Sequence, residues 1–350
     1  MSEHKFPYKW NLADGYPAKG IEKHGLKVFG TFVCGGGSTM GYKLAGYDHL
    51  GGVEIDKPIA QVYKTNHNPK YLYVEDLRLF NQREDLPDEL YQLDLLDGSP
   101  PCSNFSMAGN REKDWGKEKH FREGQTTQVL DDLVFVYCDT IIKLKPKAFL
   151  LENVKGIIQG NAKSYSKKIV AKMTAAGYVV QVFLLNAASM GVPQKRERVF
   201  FIGHKKELKY SKLMLEFNER AVRFGEIEDI NDNSEDNQKQ QRYLWDNQTK
   251  QDKGLNDVSI RLDNKNNFFS HCFLQRENVM PTITAHSIMQ HWLKHKPRHP
   301  NNQEIILAGT YPQDYNFKNI EVGYLIGMSV PPVMTAQIAH QIYLQWHELK

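Results

Sequence analysis

The sequence predicts an α/β protein built around a mostly parallel sheet with helices on both faces. Three observations carry this prediction. Short apolar runs alternate with stretches of helical periodicity as far as His204. Glycine or Asp-Gly turns end several of these runs. The segments between the runs are long enough to hold the crossover helices that parallel strands need.

Six apolar runs predict the strands of this sheet. In chain order they are "LKVFGTFV", "GGVEID", "LDLLDGS", "AFLLENV", "YVVQVFLLNA" and "RVFFIGH". Helical spacing of apolar residues predicts a helix over Gln125 to Lys143 and another over Ser166 to Ala176, which Gly177 ends. The Pro331-Pro332 pair predicts the start of a further apolar helix that runs nearly to the C-terminus.

The pattern changes after His204, where Asn, Asp, Gln, Lys and Glu dominate as far as about Asn278. This change predicts a second, smaller and irregular domain. The boundaries we expect are an N-terminal extension of residues 1–26, a first domain of residues 27–204 and 298–350, and an inserted domain of residues 205–297. The C-terminal helix is expected to pack back onto the first domain.

Composition narrows the function classes. With 41% hydrophobic residues, the 350-residue chain has enough apolar material for a substantial core, and a formal charge of +4 permits a polyanionic partner without requiring one. No apolar run approaches the roughly 20 residues that cross a bilayer, and no signal peptide is evident at the N-terminus. We therefore expect a cytoplasmic protein without a membrane partner.

Neither the cysteines nor the histidines predict a metal site. The four cysteines are far apart and form no C-x-x-C pair, which disfavours structural zinc and a disulfide framework. His291, His295 and His299 are spaced by four, but no H-E-x-x-H motif is present and Pro297 would interrupt a helix there. We expect no bound metal.

Glycines follow the first predicted strand in "TFVCGGGSTMG". They free the backbone to approach a ligand, and the helix behind them presents its N–H groups. About twenty residues further on, Glu54 ends the next predicted strand, where an acid suits a ribose diol. Asp76 could accept a hydrogen bond from an adenine amino group, although taken alone it fits a strand-end cap or turn residue better. Taken alone, the glycine loop leaves both an ordinary loop and a nucleotide site open.

A lone cysteine, Cys102, follows the third predicted strand in "DGSPPCSNFS". No histidine is near it in the sequence, so it suits attack on an activated ring better than amide hydrolysis. Taken alone, such a cysteine is more often a buried structural residue than a nucleophile. Glu152 and Asn153 end another predicted strand, and strand ends are where open α/β sheets place their sites. Arg196 and Arg198 stand two apart at the start of a strand, so both guanidinium groups are expected on one face.

Taken in order, the motifs resemble those of the DNA cytosine-5 methyltransferase family over nearly the whole chain. The matching stretches are "TFVCGGGSTMG", "VEID", "GSPPCSNFS", "ENV", "GVPQKRER", "TYPQDY" and "GMSVPP". The resemblance implies a Rossmann-like, S-adenosylmethionine-dependent methyltransferase domain with the inserted domain as its target-recognition domain. It also implies S-adenosylmethionine as cofactor and double-stranded DNA as partner.

The resemblance implies a role for each matched residue. Cys102 would add to carbon 6 of a flipped cytosine, Glu152 would hydrogen-bond the ring edge, and Arg198 would contact the base carbonyl with Arg196 in support. The expected cofactor-binding residues are Phe32, Cys34, Gly35, Gly36, Gly37, Glu54, Ile55, Asp76, Leu77, Ser99, Pro101, Met328, Ser329 and Val330. The expected substrate-binding residues are Ser103, Ser106, Asn153 and Gln194. The segment "MAGNREKDWGKEKHFREGQ" is expected to close on the base and contact phosphates.

Four positions depart from the family pattern. The family usually has a small acidic residue at Gly30, a glycine at Cys34 and an asparagine at Met328, all of which bear on cofactor binding. Cys34 is expected to need ordinary backbone angles. Asn301 replaces a common threonine in a segment that is mainly structural in the family.

Three other functions remain open. An RNA substrate is one, because a branch of the family methylates transfer RNA. A DNA-binding protein without catalysis is another, on account of the departures in the cofactor site. A nicotinamide oxidoreductase would rest on the glycine loop alone and leave Cys102, Glu152 and Arg198 without roles. We expect a monomer, and a cognate restriction endonuclease encoded nearby would be a functional companion without direct contact.

Overall fold

The computed structural model describes residues 4–101, 118–119, 128–129, 132–285 and 288–348. Its strands are β1 (Lys27–Thr31), β2 (Asp48–Val53), β3 (Tyr71–Tyr73), β4 (Leu95–Gly98), β5 (Glu118–Lys119), β6 (Gln128–Val129), β7 (Ala148–Val154), β8 (Tyr178–Asn186), β9 (Glu197–Lys205), β10 (Cys272–Leu274) and β11 (His291–Leu293).

Ten α-helices occur among the described residues. They are α1 (Gly37–Leu44), α2 (Lys57–His67), α3 (Leu77–Gln82), α4 (Leu133–Leu144), α5 (Lys163–Ala175), α6 (Lys239–Asp246), α7 (Leu255–Asp263), α8 (Asn302–Ala308), α9 (Val322–Met328) and α10 (Pro332–Tyr343). Short 3-10 turns occupy Leu12–Asp14, Asp88–Tyr91, Lys155–Ile158, Gly160–Ala162, Ala187–Met190, Lys206–Leu208, Phe224–Glu226 and Ile288–Gln290, and a π-helical turn extends α10 over Leu344–Glu348.

Seven strands form one sheet in the order β3-β2-β1-β4-β7-β9-β8. The pairs β1–β2, β2–β3, β1–β4 and β4–β7 are parallel. Only β9 runs against its neighbours, pairing antiparallel with both β7 and β8. The predicted mostly parallel α/β sheet is therefore confirmed, and the strand-end site expected from it lies at the carboxyl ends of β1, β2, β4 and β7.

The six predicted strands all exist, with shifted ends. The second one covers Asp48–Val53, so Glu54 lies just beyond the strand rather than at its last position. The helix predicted from Gln125 is wrong at its start, because Gln128 and Val129 pair antiparallel with Lys119 and Glu118 and α4 begins only at Leu133. The three-residue strand β3 was not predicted, since so short a run carries no periodicity.

Helix α4 packs on the central strands of the sheet. Tyr137 is fully buried, and its hydroxyl donates to the carbonyl oxygens of Leu96 at 2.9 Å and Leu150 at 2.8 Å. These two carbonyls belong to neighbouring strands β4 and β7. One tyrosine therefore fixes the helix against the strand pair whose carboxyl ends carry the expected catalytic residues.

The chain forms two compact units. The sheet unit comprises Gly15–Asn186, Glu197–Phe217 and Pro332–Lys350, and the small unit comprises Met1–Asp14, Ala187–Arg196 and Asn218–Pro331. In the small unit, β10 and β11 pair in parallel beside a core that includes Leu244, Leu255, Val258 and Trp292. In the sheet unit, α1 packs closely on α10, since a side chain at Gly41 would stand 2.5 Å from the Pro332 carbonyl oxygen.

Within the described residues, one helical stretch, Val322–Glu348, is long and apolar enough by composition to cross a membrane. The most apolar window of that stretch is 89% buried inside the protein, as the core helix of a globular fold would be. The expectation that no apolar run approaches this length was therefore too strict.

Candidate active site

An ion pair joins β7 and β9 at the edge where the site is expected. The Nε of Arg198 lies 2.9 Å from Oε1 of Glu152, and both side chains are largely buried. Val154 stands directly opposite Arg198 in the antiparallel pairing, so Glu152, two residues earlier, shares its face as the diagonal neighbour. The strand register thus brings together two of the four expected catalytic residues.

Asn153 connects β7 to the loop after β4. Its side chain is fully buried, its Nδ2 donates to the Pro100 carbonyl oxygen at 3.3 Å, and its Oδ1 accepts from the Val154 amide at 2.9 Å. The contact with Pro100 holds the backbone two residues before Cys102, while the contact with Val154 stays within β7. Cys102, Ser103, Ser106 and nearly all of the expected closing segment lie outside the described residues. A contact of Asn153 with substrate stays a prediction.

Arg196 and Gln194 lie in the small unit and bind backbone there. Arg196 donates to the carbonyl oxygens of Ile283 at 2.9 Å and Gly327 at 3.1 Å. Gln194 accepts from the Ile283 amide at 3.0 Å and donates to the Ala308 carbonyl oxygen at 3.2 Å. Arg196 also stands one residue before β9 begins, so strand alternation does not govern its direction. Their roles toward the base stay predictions.

The glycine loop after β1 is built from left-handed backbone. Phe32, Cys34 and Gly36 have φ values of 56°, 48° and 81°. The expectation of ordinary angles at Cys34 is wrong, because its amide turns inward to donate to Oε2 of Glu54 at 2.9 Å. A side chain at Gly36 would stand 2.1 Å from Nε2 of His67. Only glycine fits there, because φ is positive and the imidazole of His67 occupies the space that a side chain would need.

Glu54 lies buried just after β2 and ties two loops together. Besides the Cys34 amide, its carboxylate accepts from the Asp56 amide at 2.9 Å. Burial raises its pKa to about 7 despite these two hydrogen bonds. A carboxylate offers about four acceptor positions, so Glu54 retains capacity for the hydroxyl donors of a ribose.

Four expected cofactor residues from three separate stretches line one shallow cavity, whose volume including its open mouth is about 250 Å³: Phe32, Ile55, Asp76 and Leu77. Val53, Glu75 and Leu133 complete its walls and were not predicted. Leu133 is the first residue of α4 and has no signal in the sequence that links it to Asp76. Apolar walls with carboxylates at the edge suit a flat ring that carries an amino group.

Asp76 has a structural role besides this position. Its Oδ1 accepts from the Arg78 amide at 2.7 Å and caps α3, while Oδ2 lies 3.0 Å from Nη1 of Arg78. Nearby, the Ser99 hydroxyl lies 3.4 Å from the Phe32 carbonyl oxygen, and Pro101 is half-buried at the end of the described loop. The sheet unit therefore holds together most of the expected cofactor positions.

Asp97, at the end of β4, is a buried acid that the sequence did not single out. Its Oδ1 accepts from the Tyr42 hydroxyl at 3.0 Å, and Ser38 also hydrogen-bonds to it. Burial, together with the charge of Glu152, raises its pKa to about 7. The sequence could not have identified it, because the stretch "LDLLDGS" predicts a strand but does not indicate which of its carboxylates is buried.

The departures from the family pattern have distinct surroundings. A side chain at Gly30 would stand 2.6 Å from Cγ1 of Val33, so that position has no room for the usual acid. Met328 ends α9 in the small unit, and Ser329 next to it bonds Tyr311 at 2.7 Å and the Leu325 carbonyl oxygen at 2.8 Å. The cofactor roles of Met328, Ser329 and Val330 stay predictions.

The segment around Asn301 is structural. Asn301 caps α8 by accepting from the Glu304 amide at 3.0 Å, and Glu304 in return accepts from the Asn301 amide at 2.8 Å. Arg298 and Glu304, both almost fully buried, form a two-pronged ion pair with distances of 2.7 and 2.8 Å. His295 pairs with Glu228 and His299 with Asp236, and no group of potential metal ligands occurs among the described residues.

The sheet order and the loops at its carboxyl edge define a Rossmann-like methyltransferase fold. The sequence profile of the C-5 cytosine-specific DNA methylase family matches residues 26–344. The chain belongs to this family.

Curated relatives and solved structures agree with this assignment. The chain is 34% identical over 213 residues to the type II methyltransferase M.FnuDI of Fusobacterium nucleatum, covering 60% of this chain and 57% of that protein. It is 31% identical over 179 residues to the orphan methyltransferase M.SPRI of Bacillus phage SPR, covering 51% of this chain and 37% of that protein. The match thus spans little more than half of the first relative.

Among solved structures, a Spodoptera frugiperda DNMT2 mutant superimposes with a TM-score of 0.62 at 15% identity, covering 91% of this chain and 99% of that one. The S. pombe Dnmt2 methyltransferase gives a TM-score of 0.58 at 14% identity, with coverage of 93% and 99%. At this identity the likeness concerns the fold alone.

Proposed function

We propose that the protein is a DNA (cytosine-5) methyltransferase that transfers a methyl group from S-adenosylmethionine to carbon 5 of a cytosine in a specific duplex sequence. The observation that carries the proposal is the Glu152–Arg198 ion pair on the edge of β7 and β9 in a chain of this family. Asn153 of the same strand holds the loop that leads to Cys102.

In the proposed reaction, the thiolate of Cys102 forms a bond to carbon 6 of the cytosine. Glu152, in its protonated form, donates to ring nitrogen 3 and accepts from the amino group, so the electron pair displaced from the ring's double bond is stabilised on nitrogen 3 as it develops. Arg198 orients Glu152 and donates toward the base carbonyl. Carbon 5 takes the methyl group, which leaves S-adenosylhomocysteine. Loss of the carbon 5 proton to solvent then reforms the ring's double bond and expels the sulfur of Cys102 as a thiolate.

The residues present fit S-adenosylmethionine. The cavity lined by Phe32, Ile55, Asp76 and Leu77 would take the adenine, and the buried carboxylate of Glu54 would accept from the ribose hydroxyls. The backbone of Gly35 to Gly37 would lie against the remainder of the cofactor. When bound, S-adenosylmethionine supplies the methyl group as an electrophile.

The base must leave the duplex for this chemistry, because carbon 6 cannot be reached inside the stack, and flipping costs a few kcal/mol. We propose residues 205–297 as the target-recognition domain that reads the sequence around the flipped base. We further propose a cytoplasmic monomer that acts on double-stranded DNA, with a restriction endonuclease encoded nearby as its functional companion.

Methyl transfer to duplex DNA and to transfer RNA, measured side by side with radiolabelled S-adenosylmethionine, tests the proposal. Label should enter the duplex and not the RNA, and bisulfite sequencing of DNA from expressing cells should find 5-methylcytosine in one sequence context. Label in transfer RNA alone would contradict the substrate. DNA binding without S-adenosylmethionine binding in calorimetry would contradict the activity.

A further inference from the structure

A second cleft lies at the opposite edge of the sheet from the proposed cofactor site. It has a volume of about 860 Å³ including its mouth and is lined at the amino ends of β1 and β2. β2 spans six residues between the cleft at Asp48 and Glu54 beyond its carboxyl end. The lining of the cleft reaches Leu50 and that of the cofactor cavity reaches Val53, about 10 Å further along the strand at about 3.3 Å per residue, and the two linings share no residue.

Charge in this cleft is unbalanced. Four lysines and two acids line it: Lys23, Lys27, Lys43, Lys70, Asp48 and Glu89. Lys23 pairs with Asp48 at 3.0 Å, while Lys27, at 3.1 Å, and Lys70 share Glu89. The two acids therefore serve three lysines. The lining of the cleft therefore carries an excess of two positive charges at the amino ends of β1 and β2.

Lys43 is the lysine of the cleft that lacks a carboxylate. Within the described residues its Nζ donates to the His67 carbonyl oxygen at 3.2 Å and lies 5.5 Å from the centre of the Tyr16 ring. The carbonyl at the end of helix α2 and the ring face offer only partial negative charge. Burial lowers the pKa of Lys43, and no neighbouring acid offsets that effect. A desolvated ammonium in this state gains most from an anion that enters the cleft.

We propose that this cleft binds the phosphate group of a small-molecule phosphate monoester. Such a group carries about −1.5 to −2 charge at neutral pH, which matches the excess of two positive charges. Its oxygens can accept from several ammonium groups at once, and Lys43 supplies the desolvated contact while Lys23, Lys27 and Lys70 surround it. The site is independent of methyl transfer, since none of its residues belongs to the proposed cofactor or base site.

Calorimetry of the full chain with inorganic phosphate and with adenosine monophosphate, at constant ionic strength set by chloride, tests the proposal. Lys43→Met keeps the apolar stem and removes the charge. We expect both probes to bind the wild type and to bind Lys43→Met at least about tenfold more weakly, as the loss of a charge-assisted hydrogen bond predicts. Lys64→Met, which removes an exposed lysine of helix α2, is the matched control and should bind like the wild type.

Two further measurements separate a loss of phosphate binding from a loss of folding and from binding of DNA. Lys43→Met should fold at least as stably as the wild type, because it relieves a desolvated charge, and Lys23→Met at the rim should weaken the probes by less. A short DNA duplex serves as the second phosphate source. If Lys43→Met weakens only the duplex, the phosphate belongs to the DNA backbone and the small-molecule assignment is overturned. Equal phosphate binding by wild type and Lys43→Met, or none by either, overturns the site.

Discussion

The Nε of Arg198 lies 2.9 Å from Oε1 of Glu152 across the β7–β9 pair. This contact holds the carboxylate of Glu152 in place. Both residues belong to strands, and strands hold side chains more rigidly than loops do. Because Asn153 holds the Pro100 carbonyl from the same strand, β7 organises two sides of the proposed base site at once. We therefore expect Glu152 to stabilise the charge that develops on the base once Cys102 has added to it.

Replacing Glu152 by Gln should lower kcat by about two to four orders of magnitude, because an amide cannot transfer a proton to ring nitrogen 3 as a carboxylic acid can. Binding of duplex DNA and of S-adenosylmethionine should change by less than about threefold. Glu197→Gln is the matched control, because Glu197 is exposed on the adjacent strand and pairs with Lys155. Equal losses of kcat in both variants would refute the role given to Glu152.

Gly36→Ala should destabilise the sheet unit by more than about 2 kcal/mol, since the new Cβ would stand 2.1 Å from Nε2 of His67 and φ is +81°. Gly177→Ala isolates the backbone effect, because Gly177 has φ +89° and nothing lies within 4 Å of its Cβ position. That variant should cost about 1 kcal/mol. Urea denaturation of the two variants measures the difference, and equal costs would show that His67 does not restrict Gly36.

Arg298→Met should cost about 3–5 kcal/mol of unfolding free energy, because it leaves the buried carboxylate of Glu304 without its partner. Arg242 offers the control, since its pairs with Glu235 and Asp246 are at the surface. Arg242→Met should cost far less. Guanidinium denaturation of both variants checks this, and similar midpoints would contradict a structural role for the Arg298–Glu304 pair.

Two buried groups, His291 and Asp97, should change the stability of the fold with pH in opposite directions. Burial lowers the pKa of His291 to about 4, so the imidazole stays neutral in the fold while the unfolded chain takes up a proton below about 6.5. Through this residue the folded protein loses stability as the pH falls from about 6.5 to about 4. Relative to the wild type, His291→Gln should therefore gain up to about 1.4 kcal/mol per pH unit as the pH falls through this range.

Asp97→Asn should change the pH dependence of the unfolding free energy in the opposite direction. The pKa of Asp97 is raised to about 7, so the folded state keeps a proton that the unfolded state loses above about 4. The wild type therefore loses stability through this residue as the pH rises, and the variant should gain relative to it toward pH 7. Denaturation curves between pH 4 and pH 7 measure both slopes. Parallel slopes for the wild type and both variants would contradict these assignments.

Much of the fold follows from pattern alone, because β7 and β9 are continuous apolar runs between turn signals and appear nearly where they are expected. The misplaced start of α4 has a physical reason. Val129 fits the helical period, but backbone pairing with Glu118 outweighs periodicity there. A short strand leaves no trace in a window of helical length.

The motifs located Glu152 and Arg198, but their contact depends on a strand register that no motif encodes. Likewise, the left-handed backbone at Cys34 follows from the hydrogen bond of its amide to Glu54, twenty positions away. Cysteine at that position gives no hint of φ. The buried states of Asp97 and Lys43 were also out of reach, since burial depends on which elements pack around a side chain.

Covalent catalysis by Cys102 can be trapped with a fluorinated substrate. The protein is incubated with S-adenosylmethionine and a duplex that carries 5-fluorocytosine at the methylated position, and the product is digested and mapped by mass spectrometry. Fluorine at carbon 5 cannot leave as a proton does, so the account predicts a stable adduct on the peptide that contains Cys102, absent in Cys102→Ser. Methylation of the normal duplex together with no adduct at Cys102 would contradict it.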